Sequence, residues 1–308
     1  GEEIEVNLVL DLGNSRACGI LIEQTPGRPV SLDECCKLEI RDLQQPGDVY
    51  TDPFETSFKF QPPLFYDPEN AIPQNGRTFV WPSIVRIGNE AARLEPSDVG
   101  DTGMSSPKRY LWDDNVRHFP WYFNLNEEGT GKKINAGFLK HLDERGIFKG
   151  DQATPPFEPC YPPGALMTFL MSEILCHAYS QINSFSYRKS RGHRLAGRQL
   201  KNIVITTPCG MSQPELDLYR LRVQSAIDLY FHATGRSESH KPALHLDFDE
   251  ATAVQLTYLM GEIKNRFLGS AAEAVTIPGR TRTVDELQKR QTFRLASIDI
   301  GGGTSDLM

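Results

Sequence analysis

Two stretches near opposite ends of this chain share one grammar. LVLDLGNSRACG (residues 8–19) and ASIDIGGGTSDLM (residues 296–308) each carry an apolar strand ending in aspartate. An apolar residue, glycine, small hydroxyl or amide residues and a returning strand follow. Glycine lets the backbone turn tightly and turns N–H groups toward an anion. Ser15, Thr304 and Ser305 add hydroxyl donors. Asp11 and Asp299, at the strand ends, are placed to hold Mg²⁺ through water. Either stretch alone reads more readily as a plain hairpin turn. Two of them in one α/β chain can grip a triphosphate from both sides.

The sequence between them alternates strand and helix. Residues 4–11 alternate and then become wholly apolar, which suits a central strand. Residues 19–24 return beside it, with Gly13 and Asn14 at the tip. Residues 25–77 are proline-rich and polar and read as loops and short edge strands of an insertion. Residues 77–94 give a strand, a proline break, another strand and a turn at Gly88-Asn89 into a helix. Residues 113–164 lack a clear period and read as a second insertion.

Residues 166–183 form a helix with a stripe of Met167, Leu170, Met171, Ile174, Ala178 and Ile182. The basic stretch 187–201 has no interleaved aromatics and reads as a solvated linker, not a nucleic-acid patch. Residues 202–208 read as a buried strand. Ser212, Pro214 and Glu215 mark a helix start with a capping box. Residues 244–248 alternate as a strand, 249–267 form a helix opening on two acids, and 268–292 are a loose connector. This order predicts an α/β protein with a mixed sheet.

Composition narrows the function classes. The chain has 308 residues and a net charge of −7, which gives no support for binding a phosphate backbone over a wide face. Its six cysteines form no CxxC pair and match no zinc spacing, so they read as free thiols of a reducing, cytoplasmic compartment. No apolar run is long enough to span a membrane, and no secretory signal peptide is visible. The first residue is glycine and the last residues sit inside an apparent strand, so the chain reads as a fragment.

The two hairpins resemble the phosphate loops of the actin, sugar-kinase and DnaK-type chaperone superfamily, and further segments fall into the chaperone order. FVWPSIVRIGNEA resembles the segment after the early strands. SSPKRYLW resembles the segment carrying the catalytic lysine, which implies Lys108. NIVITTP resembles the segment with the interdomain switch proline, here Pro208. DFDEATAVQLTYL resembles the segment whose glutamate positions the metal or attacking water, here Glu250. Asp299, Gly301, Gly302, Gly303, Thr304 and Asp306 match the second phosphate loop position by position. Two departures stand out. Asn14-Ser15 replaces a pair of threonines, and Leu216 lies near the place of an expected arginine, with Arg220 one helical turn later. More closely still, LVLDLGNSRACGILIE, LMTFLMSEILCHAYSQINS, DEATAVQLTYL and ASIDIGGGTSDLM together resemble the bacterial virulence factor SrfB family.

The resemblance implies a ribonuclease-H-like, actin-type ATPase fold. Residues 1–292 would form the first lobe and 293–308 the opening hairpin of the second. The implied ligands are ATP and Mg²⁺. Gly13, Asn14, Ser15, Gly301, Gly302, Gly303 and Thr304 would hold phosphates, and Asp11 and Asp299 would anchor the metal. Lys108 would stabilise transferred charge, and Glu250 or Asp306 would orient water. A protein partner or self-association is expected. The competing readings are a nucleotide-gated scaffold or polymerising protein with little turnover, and a small-molecule kinase, for which no sugar-binding base is visible.

Overall fold

The computed structural model describes residues 3–24, 35–61, 81–94, 103–116, 122–123, 132–133, 137–156, 160–276, 296, 298–300 and 305–307. The chain divides into two compact units. One is Gly1–Ile205 with Ser212–Leu246, and the other is Thr206–Met211 with Asp247–Met308. Among the described residues, no helix is long and apolar enough to cross a membrane.

The first unit opens with the hairpin the sequence predicts. β1 (Ile4–Leu12) pairs antiparallel with β2 (Arg16–Gln24), from Glu5 opposite Gln24 to Leu12 opposite Ala17. Strict alternation decides the faces: Ile4, Val6, Leu8, Leu10 and Leu12 are buried, and Asp11 is exposed. β3 (Cys35–Lys37) continues the antiparallel meander along β2.

The short edge strands expected beyond it are present. β4 (Ile40–Arg41) pairs with β5 (Val49–Tyr50), β6 (Phe54–Glu55) adds to the tip end of β2, and β7 (Phe58–Phe60) lies between β8 (Val85–Ile87) and β9 (Gly103–Met104). Helix α1 (Gly88–Leu94) follows β8 as predicted, and β10 (Tyr122–Phe123) pairs with β11 (Lys132–Lys133).

Helix α2 (Ala165–Asn183) is the centre of the first unit. The sequence predicts one apolar stripe, yet every residue of α2 except Ser180 and Asn183 is buried. The reason is that α2 meets β4 and β8 as well as later elements of the main sheet and its other long helix. Its polar residues must therefore find partners inside the protein. Glu173 accepts a hydrogen bond from Trp81 Nε1 at 2.8 Å and lies 3.3 Å from His177 Nε2. His177 Nδ1 accepts from the Arg41 N–H, and Gln181 accepts from Glu39 N while donating to Lys37 O. Burial opposes charge on Glu173, but His177 and the Arg86 guanidinium outweigh it and hold the carboxyl below its usual range. Glu90, 3.7 Å from Arg86, is pushed up to about 7, chiefly by burial, against a hydrogen bond from Leu43 N.

The basic stretch 187–201 is not a solvated linker over its length. Helix α3 (Phe185–Arg191) takes its first part, capped by Ser184, and β12 (Arg198–Ile205) takes its last. Arg198 is fully buried. Its guanidinium pairs with Glu23 at 3.2 Å and donates to the carbonyls of Gly192, His193 and Ala196. One planar fork meets a carboxylate and three loop carbonyls, which allows a charge to sit in the core.

β12 runs parallel to β1. Helix α4 (Gln213–Ala233) then starts as predicted, with the Glu215 carboxylate accepting from the Ser212 N–H at 2.8 Å. It packs on α2, where Tyr179 and Tyr230 stack at 4.9 Å. β13 (Ala243–His245) closes the sheet parallel to β12, giving the order β13-β12-β1-β2-β3. Asn7, Asn202 and His245 link side chains across its three parallel strands.

The second unit holds α5 (Glu250–Asn265), α6 (Ala271–Thr276), and the antiparallel pair β14 (Ile298–Ile300) and β15 (Ser305–Leu307). α6 occupies part of the expected loose connector 268–292, of which residues 277–292 lie outside the described residues.

Candidate functional site

The first predicted phosphate loop is a tight, preorganised turn. Asp11 stands exposed near the end of β1, and Gly13, Asn14 and Ser15 connect it to β2. A Cβ at Gly13 would lie 2.6 Å from the Arg16 carbonyl oxygen, so the turn at this tightness requires glycine. The loop is pinned from outside by Thr56. Its hydroxyl donates to Asn14 O at 2.7 Å, and its N–H donates to Ser15 O at 3.1 Å. Two carbonyl orientations are thus set before any ligand arrives. Burial, and then the negative charge of Asp11, push the neighbouring Cys18 thiol up. Sequence reasoning passed over Thr56, because it lies in a stretch with no period.

Lys108 sits in a short 3-10 turn, Pro107–Tyr110, entered through Ser106 in the left-handed region. The lysine is buried, whereas Arg109 beside it is exposed. The turn is fastened to the start of α2. Gly164 N donates to Asp113 O at 2.9 Å, and a Cβ at Gly164 would lie 2.9 Å from Leu111 O. A buried lysine is uncommon without a task or partner.

In the second unit, Asp249 and Glu250 open α5. Asp249 is the N-cap, accepting from Thr252 N at 2.7 Å, Thr252 Oγ1 at 2.6 Å and Cys209 Sγ at 3.3 Å. Partial burial works against its charge, but the hydrogen bonds from Thr252 and Cys209 hold it below the usual carboxylate range. Glu250 is half-buried, and its N–H donates to Thr207 O at 2.8 Å. Thr207 N in turn donates to Phe248 O, so the segment around Pro208 is laced to the start of α5. Asp249 is thus taken up in capping α5, and Glu250 is the next acid of its first turn. Asp299 and Asp306 are direct partners across the β14–β15 pair. Gly301, Gly302, Gly303 and Thr304 lie outside the described residues.

The structure therefore gathers the predicted residues in local groups. Asp11, Gly13, Asn14 and Ser15 share one turn, Glu250 joins Thr207 beside Pro208, and Asp299 is in register with Asp306. Lys108 is buried in a separate short turn, Pro107–Tyr110.

The family described as Virulence factor SrfB matches the chain over residues 1–308. No curated protein matches it.

Proposed function

The chain belongs to the SrfB virulence-factor family, and from that premise we propose that it is an actin/DnaK-like module that binds and hydrolyses MgATP. The observation that carries the reading is the glycine turn between β1 and β2 at the centre of a mixed sheet. Its strand order, an antiparallel meander β1-β2-β3 continued by parallel β12 and β13, is the one expected of a ribonuclease-H-like lobe. The residues suit the ligand. Gly13 keeps the turn tight where a Cβ would meet the Arg16 carbonyl, Asp11 offers an exposed carboxylate, and Lys108 holds an ammonium out of bulk water.

In this reading the Gly13–Ser15 turn and the glycine run 301–304 each hold phosphate oxygens through N–H and hydroxyl donors. Asp11 and Asp299 would hold Mg²⁺, which would neutralise phosphate charge. Lys108 stabilises charge on the transferred phosphoryl group, and Glu250 or Asp306 orients the attacking water. The second reading, a nucleotide-gated scaffold with little turnover, is favoured by Arg220. This arginine donates to Leu244 O at 3.4 Å within the first unit.

The test is MgATP binding and turnover by the protein beside its Asp11→Asn and Asp299→Asn variants. Turnover that drops by roughly a hundredfold or more in either variant is the expected result. Tight binding without turnover in the wild type replaces the ATPase with the scaffold. Absence of nucleotide binding removes both.

A further inference from the structure

A cluster unrelated to the phosphate turns lies where the second predicted insertion meets the end of α4. His141 closes the short 3-10 turn Gly137–His141, Asp151 lies in the turn Gly150–Gln152, and His232 stands in the last turn of α4. The intervening chain folds back on itself. Asp143 N donates to Ile147 O, the Asp143 carboxylate accepts from Ile147 N at 2.9 Å, and Lys149 N donates to His141 O at 2.8 Å. Gly150, at φ 60°, supplies the left-handed residue that starts the next turn.

We propose that His141, Asp151 and His232 form a binding site for one divalent first-row transition ion, with Zn²⁺ as the fitting probe. The three donor atoms lie within 4.8 Å of one another. His232 Nε2 is 3.1 Å from Asp151 Oδ1, and His141 Nδ1 is 3.7 Å from the same oxygen. Two donors about 2.0–2.1 Å from a tetrahedral ion lie about 3.4 Å apart, so the observed spacings bracket that edge. His141 Nδ1 is buried and has no hydrogen-bond partner among the described residues. A buried, unsatisfied imidazole nitrogen facing a carboxylate is the arrangement a cation would complete.

Three further features favour a cation. The imidazoles meet edge to face at 4.2 Å, a spacing at which two protonated rings would repel each other. The site lies at the C-terminal end of a 21-residue helix, whose dipole attracts positive charge. Phe148 packs 5.6 Å from the His232 ring and shields one side. Imidazole and carboxylate donors select borderline transition ions over Ca²⁺ or Mg²⁺. Asp151 is 83% exposed, so a fourth coordination position is open to water. The ion would fasten the segment 137–152 to α4.

Metal-free protein titrated with Zn²⁺, and separately with Co²⁺, tests the site. One equivalent should bind, with a visible Co²⁺ spectrum of nitrogen and oxygen ligation and a Zn²⁺-dependent rise in thermal midpoint. Asp151→Asn changes a surface side chain and should keep the fold while weakening Zn²⁺ at least about tenfold. His232→Gln should do the same. The proposal is overturned by absence of stoichiometric binding, by affinity unchanged in Asp151→Asn, or by thiolate charge-transfer bands that put the ion on the cysteines.

Discussion

Glu90 sets a pH dependence that can be read from its surroundings. It is buried beside Arg86, and Arg86 also serves Glu173, which keeps its charge; Glu90 is pushed up to about 7. Its Oε1 is buried with no hydrogen-bond partner among the described residues, which suits a protonated acid. The folded value lies above the unfolded one, so the fold binds the extra proton. The stabilisation is complete below about pH 4.5 and is lost as pH rises to about 7. The shift corresponds to about 3 kcal/mol at most. Glu90→Gln should gain on the wild type across that window and run parallel to it above. Denaturation curves that stay parallel from pH 4 to 8 would contradict this. Gly13→Ala should cost about 1–3 kcal/mol in a denaturant titration, because the added Cβ meets a backbone oxygen. Residues whose partners are close in sequence were legible beforehand: Gly13 in its turn and Ser212 with Glu215. Thr56 and His232 were not, because each works with residues 41 or more positions away, and no local pattern marks such a pairing.

At the scale of elements, α2 and β12 show how a polar residue can be read wrongly. The helix period of α2 was legible, but its apolar stripe says nothing of where Glu173, His177 and Gln181 go. They are buried because packing covers α2 on all sides, and only the tertiary arrangement reveals that. Arg198 looked like part of a basic linker, yet it is a core residue at the start of β12. Replacing it leaves Glu23, itself 3% exposed, as an uncompensated buried charge. Arg198→Met should therefore cost about 3–5 kcal/mol, and adding Glu23→Leu should recover much of the loss. A double-mutant cycle by chemical denaturation measures the coupling, and strictly additive effects would show that the pair is not a unit.

For the whole molecule, the alternation of long strands and helices was legible, because each long element carries its own period. The division into units was not, since it depends on which segments pack together. The two units differ in internal support. The first is built around β1 and α2, whose inward residues are fully enclosed. In α5 of the second only Ala251 is buried, and Val254, Leu256, Tyr258 and Met260 are exposed. Native-state hydrogen exchange should show α5 opening at a lower free energy than α2 and β1, which should exchange only with global unfolding. Equal protection in both would contradict that ranking. The chain passes from one unit to the other three times, at Ile205–Thr206, Met211–Ser212 and Leu246–Asp247. Thr207, stranded in sequence between β12 and α4, is hydrogen-bonded to Phe248 and Glu250. This interleaving has a genealogical consequence. Gene recombination that exchanges one continuous stretch of coding sequence cannot trade either unit whole. A crossover near residue 246 would leave Thr206–Met211 inherited from one parent and its partners from the other, so the two units must descend and diverge together.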